Sequence, residues 1–406
     1  MVFLLAGCNK SGYSGTEGGK TKYQDAETDV VELTVYHYSD TPPVADVFVK
    51  TDDGFYFKEE AFKENKDLIP VSEEISNKIN KWVDDYNIKS QCFERVEICS
   101  LVLERIEKEI KQENKHALAL YIKNKMGIEI DENSIFDVQI KRLHAYKRQI
   151  MNIFHIMYLY QRMKEDKNFR IYPRTFIFGA KAAPAYTYAK RIIQLILAVA
   201  DVVNNDPEIS KYMKVIFLEN YGVTLAEKII PAADVSEQIS TASKEASGTS
   251  NMKLMMNGAV TLGTLDGANV EIRDLVGDPN CVIFGLNSEQ VLNYYAKGGY
   301  NVWDVYNSDI RVKKVIDSLF DGPWVDKPDR FQLIFDEIMK NNDSFFILKD
   351  FASYIDAQEK IENLYKDKAR WAQMCLVNVA KSGFFTSDRT IKEYVRDIWH
   401  LDKVGE

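Results

Sequence analysis

Phe136 to Ile140, Thr175 to Phe178, Val215 to Leu218, Val260 to Leu262 and Cys281 to Phe284 are short apolar runs, and helical spacing of apolar residues follows each of them. A short buried strand alternating with a helix is the pattern of parallel strands joined by crossover helices, and it leaves few topologies open. A doubly wound, Rossmann-like parallel α/β sheet is therefore expected, preceded by a small α+β module. Ligands of such sheets bind beyond the carboxyl ends of the strands. The loops after these runs are where chemistry should lie.

The 406 residues are 46% hydrophobic and 12% aromatic, enough for more than one core. The longest apolar candidate, Ile192 to Val203, is broken by Gln194 and Asp201, so a membrane-spanning helix is not expected. A net charge of −9 without a long basic stripe argues against a nucleic-acid partner and suits a small or neutral polymeric substrate. Cys92, Cys99, Cys281 and Cys375 are too scattered for a zinc site or a disulfide scaffold. Cys8 differs: Leu5-Ala6-Gly7-Cys8 looks like a truncated bacterial lipoprotein leader, which would give a lipid anchor at Cys8 and a membrane-tethered chain.

Residues 1–105 contain 12 Lys/Arg and 20 Asp/Glu, a charge of −8, which leaves −1 for the rest of the chain. Three parts are expected: a leader-like segment and tether over 1–22, an acidic α+β module over 23–105, and a larger domain over 106–406. Within the module, Val30 to Tyr38 and Val44 to Val49 alternate as strands, and Asp52-Asp53-Gly54 reads as a hairpin turn. Ser72-Glu73-Glu74-Ile75 opens a capped amphipathic helix.

Two segments of the larger domain invite an anion. Lys141-Arg142-Leu143-His144-Ala145-Tyr146-Lys147-Arg148 follows the first strand, and cations converging there repel one another unless an anion offsets the charge. Glu245-Ala246-Ser247-Gly248-Thr249-Ser250-Asn251-Met252-Lys253 sets a carboxylate, a turn of small residues and a lysine where the chain enters a helix. Free N–H groups at a helix start favour an anion, and a desolvated Lys253 amine beside an anionic cofactor could form an imine with it.

The second segment, with Met256-Asn257 after it, resembles the pyridoxal-phosphate signature of the glycogen/starch/maltodextrin phosphorylases. The resemblance runs from about Lys111 to the C-terminus, through the closing run Phe384 to Ile391, and corresponds to the C-terminal, cofactor-holding half of that family, one of the two facing domains of its GT-B fold. It implies pyridoxal 5′-phosphate as cofactor, carried on Lys253, with the cofactor's phosphate gripped by Thr249, Gly248, Ser250 and Lys141. Tyr221 would pack on the pyridoxal ring. Lys141, Arg142 and Lys147 would serve catalysis by binding phosphate, and Glu245, Ser247 and Gly248, with Arg142 and Lys147, would contact substrate. The implied reaction is retaining phosphorolysis of an α-1,4-glucan, glycogen or maltodextrin, by inorganic phosphate to α-D-glucose 1-phosphate. A cytoplasmic location and a homodimer are compatible with it. The chain departs from the family pattern at Ala145, where Glu is usual, and at Gly222, where a larger residue is common.

Upstream of about Lys111 the resemblance to the family's N-terminal half is lost, and that half supplies the opposite wall of the cleft. A site open to water on one side should work poorly. This chain is therefore expected to be weak or inactive by itself. The alternatives are a non-catalytic sugar- or phosphate-binding module, tethered or chimeric, and a nucleotide-sugar transferase of the same fold, which would not need Lys253.

Overall fold

In a computed structural model, residues 109–401 are described in full, preceded by the backbone of six short strands and of a helix, α1, that runs Arg95–Met126. The chain divides into two units, Gln112–Lys381 and a second made of Met1–Lys111 with Ser382–Glu406.

In the second unit, β1 (Tyr13–Glu17), β2 (Lys20–Tyr23) and β3 (Val31–Thr34) form one antiparallel sheet, and β4 (Phe48–Thr51), β5 (Gly54–Lys58) and β6 (Leu68–Pro70) form another. Thr51 pairs with Gly54, the register expected of a hairpin through Asp52-Asp53-Gly54. The leader around Cys8 and the helix expected at Ser72 lie outside the described residues.

Gln112–Lys381 is built on six parallel strands: β7 (Ile135–Ile140), β8 (Arg174–Gly179), β9 (Met213–Leu218), β10 (Val235–Gln238), β11 (Val260–Gly263) and β12 (Val282–Ile283). Their order is β12-β11-β10-β7-β8-β9. The apolar runs account for every strand except β10. Ser236, Glu237 and Gln238 make that strand polar, yet all three are buried, so its place beside β7 is set by packing and not by local hydropathy.

Side chains alternate between the two faces with the period of two that a strand imposes. Along β8, Phe176 and Phe178 enter one core with Phe154 and Ile192, while Ile177 enters the other with Phe136, Ile216 and Ile229. At about 1.5–3 kcal/mol for each large side chain removed from water, both faces must be covered. The covering helices include α2 (Gln149–Glu165), α3 (Thr187–Asn205), α4 (Val223–Ala232), α5 (Ser250–Met256) and α6 (Asn269–Val276). Next come α7 (Ser288–Lys297), α8 (Val302–Ser308), α9 (Ile310–Asp321), α10 (Gln332–Phe335), α11 (Ile347–Lys366) and α12 (Lys368–Lys381). The fold is the expected doubly wound α/β arrangement. Among the described residues, no helix is long and apolar enough to cross a membrane.

Strand order reverses between β10 and β7, and such a switch point opens a crevice at the carboxyl ends of the strands. The segment after β7 begins at Lys141. The segment after β10 runs on to Glu245.

Candidate functional site

Lys147, in the turn after β7, and Glu245, in the loop after β10, meet across this crevice at 2.5 Å, with each side chain 15% exposed. Burial works to lower the Lys147 amine, but its hydrogen bonds to Glu245 and Tyr146 outweigh burial and hold its pKa above the usual lysine value. Lys141, at the strand exit itself, has no ion-pair partner among the described residues. Burial, with Lys147 adding to the effect, pushes its amine down to about 8 against the pull of Glu245, Asp266 and Glu237. A partly buried amine in that position gains from any anion that reaches it.

Two other members of the basic run go elsewhere. Arg142 is exposed, and among the described residues only its carbonyl is engaged, by the Gln149 amide at 3.0 Å. Arg148 is fully buried: its guanidinium pairs with Asp350 at 2.6 Å and donates to the Ile239 carbonyl at 2.7 Å. The sequence presents one cationic cluster, but in the fold Arg148 is a structural tie and only Lys141, Arg142 and Lys147 remain at the loop.

The loop that carries Glu245 is held from below by β11 and α6. Asp266 accepts the backbone N–H of Ser243 at 2.9 Å and of Glu245 at 2.8 Å, and also the Ser240 hydroxyl at 3.0 Å. The Ala268 N–H donates to the Ser247 carbonyl at 2.8 Å. Asn251 donates to that carbonyl and to Asn269 Oδ1, both at 3.2 Å, and Asn269 in turn donates to the Gln238 and Thr264 carbonyls. Gly267 has φ +53°, and a Cβ there would stand 2.5 Å from the Ser247 carbonyl oxygen, so only glycine lets the two loops approach this closely. No pattern in the sequence marks Asp266 to Asn269 as the support of Glu245, because these contacts join loops about 20 residues apart in the chain.

α5 is seven residues long, and Thr249 at its N-cap makes no side-chain capping hydrogen bond. Ser247, Thr249 and Lys253 are exposed, and Gly248 adopts φ +82° against the Asn251 side chain. The condition set for Lys253, desolvation by packing, is not met among the described residues. Tyr221, after β9, lies half-buried over Gly179 at the end of β8, where a Cβ would sit 3.3 Å from the tyrosine Cδ2 and 3.0 Å from Ile140 Cγ2. The missing side chain at Gly179 lets the aromatic ring lie close to the strand ends. Ser250 opens α5.

The sequence model of the phosphorylase family, described as carbohydrate phosphorylase, matches residues 63–401. It therefore takes in residues 63–105, where the sequence alone showed no resemblance. The glycogen phosphorylase of Bacillus subtilis (strain 168) is 56% identical over 292 residues, covering 72% of this chain and 36% of that protein. The glycogen phosphorylase of Synechocystis is 48% identical over 296 residues, or 73% of this chain and 35% of that protein. The human muscle form is 48% identical over 294 residues, with 72% and 35% covered. The chain spans roughly a third of the length of the curated relatives it matches.

Proposed function

The chain belongs to the carbohydrate phosphorylase family, and from that premise we propose that it provides the cofactor-holding side of an α-glucan phosphorylase site. Its ligands are pyridoxal 5′-phosphate, inorganic phosphate and the end of a glycogen or maltodextrin chain. Residues 1–22, 23–105 and 106–406 are its proposed parts, the last being the cofactor domain, and the reading carries a cytoplasmic location with it. The observation that carries the proposal is Lys141: a partly buried amine at the switch point, with no ion-pair partner among the described residues and within the electrostatic reach of Lys147 and Glu245.

The residues present fit the cofactor. Lys253 presents an exposed amine that would hold it once desolvated, and Lys141 with the Gly248, Thr249 and Ser250 turn would take its phosphate. The close approach at Gly179 lets Tyr221 offer its ring face beside the strand ends. When bound, the cofactor supplies a phosphate able to pass a proton to and from inorganic phosphate. Two anions a few ångströms apart repel by about 4 kcal/mol for each pair of unit charges at 4 Å near a protein surface. Lys141, Arg142 and Lys147 offset that repulsion. Glu245 holds Lys147 in position until phosphate arrives and, once displaced, is free to accept hydrogen bonds from sugar hydroxyls together with Ser247 and the Gly248 backbone.

The purified chain should be incubated with pyridoxal phosphate, reduced with borohydride and mapped by peptide mass. Label on Lys253, absent from Lys253→Ala, is the expected result, and label spread over surface lysines would sink the reading. Release of glucose 1-phosphate from maltodextrin and phosphate by the same preparation would show turnover. Bound cofactor without turnover would reduce the chain to a binding module.

A further inference from the structure

At the opposite, amino end of the strands lies a cavity of about 220 Å³ between α2, the start of β8 and α11. Leu159, Ile171 and Ile355 line it with buried aliphatic surface, and Phe169 adds a half-buried ring. Three buried polar side chains, His155, Arg174 and Gln358, form its inner end.

His155 is 2% exposed, and among the described residues neither ring nitrogen has a hydrogen-bond partner; Nδ1 is fully enclosed. Buried polar groups are rarely left bare unless water or a ligand serves them. Burial, with Arg174 adding to it, keeps the imidazole neutral by holding its pKa well below the usual histidine range. The lining carries two arginines, Arg170 and Arg174, and two glutamates, Glu359 and Glu362, so its balance depends on which of them are already paired. Arg174 donates to Gln358 Oε1 and, at 3.5 Å, to the Gln358 carbonyl, and among the described residues it has one acid partner, Asp137 at 3.4 Å, whose carboxyl is itself raised to about 6, chiefly by burial. At the rim, among the described residues, the Arg170 guanidinium donates only to the Asp166 and Phe169 carbonyls. The rim carboxylates Glu359 and Glu362 are already engaged, by Arg162 at 3.3 Å and Lys366 at 2.7 Å.

We propose that this cavity is a second binding site, separate from the crevice at the strand carboxyl ends, for a small carboxylate with a flat apolar body. The body lies against Leu159, Ile171, Ile355 and Phe169, and the carboxylate faces the two arginines. An apolar cavity of about 150 Å³ suffices for a benzene-sized body, so a monocyclic aromatic acid fits. The proposal does not depend on the phosphorylase reading, because its test is binding alone.

Benzoate, benzyl alcohol and benzylamine should be titrated calorimetrically into the purified chain. Saturable benzoate binding is expected, with benzyl alcohol about fivefold weaker or worse and benzylamine undetectable. Arg170→Gln, an exposed position that leaves the core intact, should weaken benzoate about threefold to tenfold. Leu159→Trp should fill the cavity and abolish binding, with circular dichroism to check that the variant is folded. Absence of saturable benzoate binding, equal affinity for benzyl alcohol, or benzoate affinity unchanged in Arg170→Gln would each overturn the proposal and leave a cavity that holds only water.

Discussion

Lys147 Nζ lies 2.5 Å from Glu245 Oε2 although 98 residues separate them in the sequence. The contact exists because β7 and β10 are parallel neighbours at the point where strand order reverses, so the segments after them face one another. Each side chain is sufficiently buried that the loss of one leaves the other poorly solvated. Glu245→Gln should lower stability by about 1–3 kcal/mol in urea unfolding, and Lys147→Met should cost a similar amount. The double variant should cost less than the sum of the two. Additive losses would show that the pair is not coupled.

Lys141 sets a pH dependence whose sign can be worked out. Its amine is depressed to about 8, below an unfolded value of about 10.4, so the unfolded chain holds the proton more tightly and stability should rise from about pH 8 to pH 10. A bound anion reverses the depression. Binding of phosphate near pH 8 should therefore take up part of a proton, measured as calorimetric heats that vary with the ionisation enthalpy of the buffer. Lys141→Met should abolish the uptake.

Asp266 and Gly267 support the Glu245 loop in different ways. Asp266→Ala removes the acceptor of two backbone N–H groups at a site only 5% exposed, and should cost about 2–4 kcal/mol. Gly267→Ala puts a methyl group against the Ser247 carbonyl and should cost about as much, with more frequent proteolytic cleavage between Ser243 and Ser250. If Gly267→Ala melts like the parent chain, the loops have room that the structure denies them.

Asp343 accepts the N–H groups of Ile347 and Leu348 and the Tyr300 hydroxyl, yet burial dominates and raises its carboxyl to about 7. The folded chain then keeps a proton that the unfolded chain releases at about pH 4, so this group's contribution to stability should fall as pH rises from about 4 to about 7. Unfolding midpoints measured over that range should drop less steeply in Asp343→Asn than in the parent. Parallel pH profiles would place the titration elsewhere.

Sequence alone determined the α/β class and the strands whose residues are continuously apolar, and it singled out the two loops that carry the proposed site. It could do so because hydrophobic period and short runs of basic or small residues are local properties. β10 was hidden, since Ser236, Glu237 and Gln238 look polar and become strand interior only when β7 and β11 close over them. The division of labour in the basic run was hidden as well. Arg148 and Lys147 are adjacent in the chain, but the first turns into the core toward Asp350 while the second turns to Glu245. Only tertiary packing could make that choice, because each cation pairs with a carboxylate supplied from far along the chain.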